Sequence, residues 1–143
     1  MTTRRDALVG LGAVILAGVP RRATAANTLA FDELYAGDAV LAKRCRDLTG
    51  QAVEMVGFMA PPLKAEADFF VLTSMPMAVC PFCETEAQWP DDIVLVITGE
   101  PFSAVPFNRP IRVRGTLETG FLRDEETGFV SLIRLVGAEF ERL

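Results

Sequence analysis

The sequence of 143 residues contains no histidine. Histidine is the commonest general base near neutral pH and the commonest zinc ligand, so its absence excludes a Ser-His-Asp triad and any histidine-based metal site. Any catalysis by this chain has to use thiols, carboxylates or a bound group. We therefore interpret the protein as a non-enzymatic binding protein rather than as an enzyme.

Long apolar runs are also scarce. The first of them, Ala7–Val19, has 13 residues, whereas a membrane-spanning helix needs roughly 20. It follows Arg4-Arg5 and precedes Ala23-Thr24-Ala25, and this order predicts a secretory signal peptide in residues 1–25 that is cleaved after Ala25. An arginine pair before a glycine-diluted apolar run is typical of twin-arginine export. We predict a periplasmic protein.

Basic residues become scarce once this signal is removed. The whole sequence has 14 basic and 19 acidic residues, and the predicted signal peptide contains four arginines and one aspartate of these. The remaining 118 residues therefore carry 10 basic and 18 acidic side chains, a net charge of −8. Such a surface repels phosphate backbones and anionic lipid. We expect no nucleic acid as partner and no stable membrane insertion after cleavage.

The mature chain has the pattern of a small β domain. Apolar positions at helical spacing over Phe31–Asp47 predict a short N-terminal helical segment, interrupted at Gly37-Asp38, within a lead-in of residues 26–50. From Gln51 the period changes to that of strands. Strands are predicted at residues 51–59, 69–73, 93–98, 111–118 and 129–136, the last of them continuing past a bulge at Gly137.

The number and spacing of these strands indicate the fold class. The third strand, Ile93–Thr98, is apolar and β-branched almost throughout, which predicts a central strand buried on both faces. Five strands within residues 51–143 predict a mainly β protein, a small five-stranded OB-like barrel. An α+β sandwich is the alternative.

Four elements in residues 51–143 resemble a bacterial envelope family. They are Gly57-Phe58-Met59-Ala60-Pro61-Pro62-Leu63, Phe69-Phe70-Val71-Leu72, Ile93-Val94-Leu95-Val96 and Pro110-Ile111-Arg112-Val113-Arg114-Gly115-Thr116-Leu117, with a cysteine loop between the second and the third. With them the chain resembles the DUF3299 family, whose domain has no assigned function. The resemblance implies an OB-like periplasmic domain, often encoded near ABC-transporter or metal-uptake genes, and hence a component of an envelope transporter as partner.

The cysteine loop holds Cys80 and Cys83 around Pro81-Phe82. Three interpretations stay open. A close cysteine pair tends to form a disulfide in an oxidising compartment. Cys-Pro-x-Cys is also found in thiol-disulfide redox proteins, although no βαβ unit surrounds it here and the acidic Glu84 disfavours a thiolate. The third interpretation is a metal site.

The metal interpretation predicts bound Zn or Cu, because thiolates and thioethers select soft ions. Cys80 and Cys83 supply two corners of a tetrahedron, and Cys45, Met75 and Met77 are candidates for the others. A disulfide staple from Cys45 to either loop cysteine is the structural alternative. The preferred function is an accessory or binding protein of an envelope transport system; a periplasmic redox protein and a purely structural transporter partner are the alternatives.

Arg109, Arg112 and Arg114 form the remaining cluster of basic residues. They follow one another at alternating positions near the fourth strand, so they either form a patch for an anionic ligand or a solvated strand face. We favour the solvated face.

Overall fold

The computed structural model describes residues 25–62, 66–78, 92–125 and 128–143. Its elements in chain order are β1 (Asn27–Thr28), a 3-10 turn (Phe31–Glu33), α1 (Lys43–Leu48), β2 (Ala52–Met59), β3 (Phe69–Thr73), β4 (Ile93–Ile97), β5 (Pro110–Arg123) and β6 (Val130–Arg142). The prediction of a mainly β protein is confirmed, and the five predicted strands correspond to β2 to β6. Within these ranges no helix is long and apolar enough to cross a membrane.

All six strands belong to one sheet with the order β1-β2-β3-β4-β6-β5, and β2 also pairs with β5. The β2–β5 pairing is antiparallel and extends over Ala52–Phe58. The β4–β6 pairing is parallel, and the β2–β3, β3–β4 and β5–β6 pairings are antiparallel. Each strand from β2 to β6 therefore has a partner on both sides. The two-residue strand β1 was not predicted, because so short a segment has no periodicity to detect.

The hairpin of β5 and β6 is longer than predicted and bends at its bulges. The register shifts between Arg114 and Thr116, and a Cβ on the intervening Gly115 would lie only 3.1 Å from the Ala138 Cβ. Opposite it, Gly137 has φ 58°, a left-handed conformation that favours glycine. The continuation of the last strand past a bulge at Gly137 is confirmed.

The helical segment predicted over Phe31–Asp47 is wrong for most of its length. Only the 3-10 turn at one end and the six-residue α1 at the other are helical. Between them Gly37, Asp38 and Ala39 have φ of 113°, 45° and 58°, so the backbone reverses direction there and Tyr35 bridges to Leu41. Three consecutive left-handed residues end any helix, and the Gly37-Asp38 break was the sequence signal for it.

The main core lies between the inner faces of the strands and the N-terminal segment. Residues of β2 to β6 supply its largest part, while the segment before β2 contributes Leu29, Leu34, Cys45 and Leu48. At one end Phe70, Phe102 and Phe140 pack edge to face, with centroid distances between 5.2 and 5.6 Å. The N-terminal segment is thus a wall of the core and not a linker in front of it.

Strand β4 is buried on both faces, as its apolar sequence predicted. Val94 and Val96 face the main core. Ile93 belongs to a second cluster with Ala60 and Val71, against which Phe129 packs. Since neighbouring strand residues point to opposite faces, this second cluster covers the outer face of β3 and β4.

Candidate functional site

The loop that joins β3 to β4 leaves the sheet from a fixed base, which we call the stem (Thr73, Ser74 and Asp92). Strand pairing ends at Thr73 and Ile93. Beyond it the Ser74 N–H donates to the Asp92 carbonyl at 3.3 Å, and the Ser74 hydroxyl donates to the Asp92 carboxylate at 3.1 Å. These two hydrogen bonds hold the two ends of the loop together.

The buried hydroxyl of Thr73 fixes the first residues of the loop. It lies 3.2 Å from the Phe58 carbonyl and 2.7 Å from the Met75 carbonyl, so its one proton is shared between two acceptors. Met75 follows immediately, with 62% of its surface exposed, and Met77 is half-buried. Both predicted thioethers thus directly follow the stem in the chain, and the Met75 carbonyl is bound to it.

The two cysteines of the loop, Cys80 and Cys83, lie outside the described residues. Within the described ranges no three His, Cys, Asp or Glu side chains are grouped as they would be around a metal ion. The predicted ligand set of Cys80, Cys83, Cys45, Met75 and Met77 therefore stays a prediction.

The third cysteine has a different environment. Cys45 of α1 is fully buried in the main core, and its thiol is free. Burial raises the pKa of the Cys45 thiol above its ordinary value, because an apolar surrounding disfavours the charged thiolate. The structure gives Cys45 the properties of a small core residue. The predicted staple from Cys45 to a loop cysteine stays a prediction, because Cys80 and Cys83 lie outside the described residues.

The position of α1 also separates Cys45 from the stem. Just after α1, the Gly50 N–H donates to the Leu117 carbonyl at 2.7 Å. The stem lies next to Phe58, which is opposite Pro110. Leu117 and Pro110 are seven residues apart on β5, a distance of about 23 Å in an extended strand. Met75 and Met77 follow the stem two residues apart in the chain, and the end of α1 is bound to β5 far along that strand from Pro110.

The arginines of β5 form ion pairs instead of a basic patch. Arg114 Nε lies 2.7 Å from Glu54 Oε2, and Arg112 Nε lies 3.1 Å from Glu54 Oε1. Arg112 Nη1 donates to Glu141 Oε1 at 2.8 Å. Hydrogen bonding and attraction to Glu54 raise the pKa of Arg114, and the Arg112 guanidinium lowers the pKa of Glu141. Two carboxylates neutralise two guanidinium groups here, so this face offers no surplus charge to an anion.

Sequence reasoning missed a pocket on the outer face of β3 and β4. It has a volume of about 90 Å³ and is lined by Asp68, Phe69, Leu95, Ile97, Asp124 and Phe129. Its position is at the beginning of β3 and the end of β4, which is the end of this hairpin opposite the stem. The sequence could have indicated part of it, because Phe69, Leu95 and Ile97 are apolar residues at the strand positions that point away from the main core. The contribution of Asp124 and Phe129 depends on how the β5–β6 hairpin folds over the sheet.

The mainly β domain with this strand order has a solved counterpart. Its fold is similar to that of the crystal structure of a DUF3299 family protein from Pseudomonas aeruginosa PAO1, with a TM-score of 0.54 and 14% sequence identity over 83% of this chain and 97% of the other. The resemblance to the DUF3299 family is thereby confirmed at the level of the fold. Neither the protein-family models nor the curated proteins give a match to the sequence.

Proposed function

We propose that this protein is an exported, non-enzymatic binding protein of the bacterial envelope, accessory to a transport system, whose cysteine loop binds a soft metal ion. The protein it resembles in fold belongs to a family without an assigned function, so the proposal depends on the residues of this chain. Three features support it: the strand arrangement, the stem of the loop and the N-terminal sequence.

The strand arrangement supports a closed five-stranded barrel of the OB type. Strands β2 to β6 each pair on both sides, the β2–β5 pairing joins the two ends of the series, and the β4–β6 pairing is parallel. In OB folds the face of the second and third barrel strands, with the loops that join strands 1 to 2 and 4 to 5, is the usual ligand-binding surface. Here β3 and β4 hold those places, and the cysteine loop joins them.

The observation that carries the metal proposal is the exposure of Met75. A methionine with 62% of its surface exposed leaves a soft thioether at the stem of a loop that contains two thiols. The Thr73 and Ser74 hydrogen bonds hold the backbone of the stem and the Met75 carbonyl in place, which gives a ligand side chain a fixed point of attachment. Cys80, Cys83, Met75 and Met77 would then surround Cu(I) or Zn(II) at the tip of the barrel.

The N-terminal sequence supports export, because its arginine pair, short apolar run and small-residue end are those of a twin-arginine signal. Twin-arginine cargo folds before it crosses the membrane, so a metal can be loaded in the reducing cytoplasm before the thiols meet an oxidant. This order of events would keep Cys80 and Cys83 available as ligands.

The test is native mass spectrometry of the protein purified from the periplasm, followed by titration of the metal-free protein with Cu(I) and with Zn(II). We expect one bound ion in the wild type and none in the Cys80→Ser/Cys83→Ser double variant. Met75→Leu should weaken the binding by about tenfold or more. Cys45→Ala is the matched control, since it removes a thiol from the core and should leave the stoichiometry unchanged.

Two other results would each replace this function. A wild-type protein that lacks metal and is lighter by two hydrogens contains a disulfide and is a stapled scaffold. The disulfide is Cys80–Cys83 if the deficit persists in Cys45→Ala. Turnover of a dithiol substrate that disappears in the double variant identifies a thiol-disulfide redox protein. Loss of the metal in Cys45→Ala would move the site from the loop into the core.

A further inference from the structure

The pocket on the outer face of β3 and β4 is a candidate site that is separate from the cysteine loop. Its floor consists of Leu95 and Ile97, consecutive outward residues at the end of β4. The volume of about 90 Å³ is well above the roughly 15 Å³ that one water molecule needs. The pocket therefore has room for a small organic group.

Two aromatic rings form walls of this pocket. Phe69 at the start of β3 and Phe129 just before β6 lie with their ring centroids 6.3 Å apart and their planes tilted by 40°. Because the two rings are tilted, a ligand in the pocket contacts both a ring face and a ring edge. The negative face of an aromatic ring attracts a cation within about 6 Å of its centre.

Two carboxylates lie at the same pocket. Asp68 and Asp124 are both exposed and both line it. Their backbones are fixed: the Thr98 N–H donates to the Asp68 carbonyl at 2.8 Å, and the Asp124 N–H donates to the Phe129 carbonyl at 2.8 Å. The pocket thus combines an apolar floor, two rings and two anionic side chains held in place by the backbone.

We propose that this pocket binds a small organic ammonium cation with an apolar shell, namely a quaternary ammonium group. An apolar floor excludes a strongly hydrated inorganic ion, while rings and carboxylates together favour an alkylated cation over a neutral or anionic group. The net charge of −8 that remains without the first 25 residues has the sign that concentrates cations near the surface. This site does not depend on the proposed metal loop.

Two arginines on the same side of the molecule could repel a cation from the pocket. Arg134 is opposite Leu95 in the strand register, but its guanidinium is directed toward β5, where it binds the Gly120 carbonyl and Glu118. Arg123 lies nearer, because a Cβ on Gly128 would be 3.6 Å from Arg123 Nη2. Neither arginine lines the pocket. Arg123 is the neighbour of Asp124 in the chain, so we expect its guanidinium to compete with a bound cation for a carboxylate of the pocket.

The experiment compares choline with its neutral carbon isostere 3,3-dimethyl-1-butanol, which has the same shape and no charge. The readout is a methyl NMR titration of Leu95 and Ile97, with calorimetry for the dissociation constant. We expect choline to shift both methyl signals and to bind about tenfold more tightly than the alcohol. Asp68→Asn and Phe129→Leu should each weaken choline binding severalfold, while Arg123→Gln should strengthen it.

Asp32→Asn is the matched control, because it removes one negative charge from the exposed 3-10 turn, away from the pocket. Choline affinity should be unchanged in this variant and also in Cys80→Ser/Cys83→Ser, which separates this site from the metal loop. The proposal is overturned if choline and the alcohol bind equally, if the Leu95 and Ile97 signals do not move, or if Asp32→Asn weakens binding as much as Asp68→Asn. Equal binding would indicate an apolar pocket without charge recognition.

Discussion

Arginine is used in two different ways on β5 and β6. Arg112 and Arg114 lie on the outer face of β5 with 34% and 55% of their side chains exposed, and they share Glu54 and Glu141. Arg134 of β6 has only 7% of its side chain exposed. Its Nη1 donates to the Gly120 carbonyl at 2.8 Å and to the Ser131 hydroxyl at 3.1 Å. Arg112 and Arg114 thus form ion pairs that are exposed to water, whereas Arg134 donates a hydrogen bond to a backbone carbonyl of the bulged β5–β6 hairpin.

The difference matters for function because an arginine can bind an anion. Both the exposed group around Arg112 and Arg114 and the buried group around Arg134 were therefore possible anion sites. In the exposed cluster the opposite charges cancel, and solvent screens what remains. In the buried cluster the guanidinium already has its acceptors, among them a carbonyl close to the register shift between Thr119 and Leu122. Arg112, Arg114 and Arg134 therefore serve the stability of the sheet, and the ligand sites that we propose are the acidic pocket and the cysteine loop.

The largest effect should come from Arg134→Met. Methionine keeps the apolar stem of the side chain but leaves the Gly120 carbonyl and the Ser131 hydroxyl without their donor, and each buried polar group without a partner costs about 1–3 kcal/mol. We expect the free energy of unfolding to fall by about 2 kcal/mol in urea denaturation. Arg114→Met on the exposed cluster is the control and should have a much smaller effect.

A stability equal to or above that of the wild type in Arg134→Met would contradict this view. It would mean that removing the desolvation cost of the guanidinium outweighs its hydrogen bonds, as happens in some buried ion pairs. Arg134→Lys sharpens the comparison, because it retains the charge but cannot donate in two directions from one planar group.

The sequence predicted the sheet well because the strands obey strict periodicity. Ile93 to Val96 are apolar in succession, and the strand they form is buried on both faces, while Ile111, Val113 and Leu117 alternate and point into the core. The lead-in was predicted poorly for a physical reason. Its apolar residues Leu34, Leu41 and Cys45 belong to the wall of a β core, and in a short segment their spacings of seven and four residues cannot be distinguished from the period of a helix.

The parts of the candidate sites that were predictable are those formed by residues close together in the sequence. The stem follows from the end of one strand and the start of the next, and Met75 and Met77 follow it in the chain. The burial of Cys45 was not predictable, because it depends on which end of the sheet α1 covers. The outer pocket depends on Asp68 and Asp124, which are 56 residues apart and meet only through the strand order.

A smaller effect is expected from Glu54→Gln in the exposed cluster. Glu54 accepts a hydrogen bond from Arg114 and forms an ion pair with Arg112, so its neutralisation leaves the two arginines as neighbouring like charges. Because the pairs are partly exposed, we expect a loss of about 1 kcal/mol or less, and the loss should shrink as salt is raised from 0.05 to about 0.5 M. Denaturation at both salt concentrations measures it, with Glu100→Gln at the end of β4 as the control. A loss that does not change with salt would place the contribution of Glu54 in packing.

The smallest effect should come from Glu141→Gln, and its sign depends on pH. The Arg112 hydrogen bond lowers the pKa of Glu141 below its ordinary 4.5 in the folded protein. The carboxylate therefore stabilises the fold above the pKa of the unfolded state, and this contribution is lost as the pH falls through the lowered folded-state pKa. We expect the melting temperature of Glu141→Gln to lie slightly below that of the wild type at pH 7 and the two to converge as the pH is lowered past 4.5. Thermal melts at a series of pH values would show this, and a gap that persists into strong acid would mean that Glu141 acts through its shape and not through its charge.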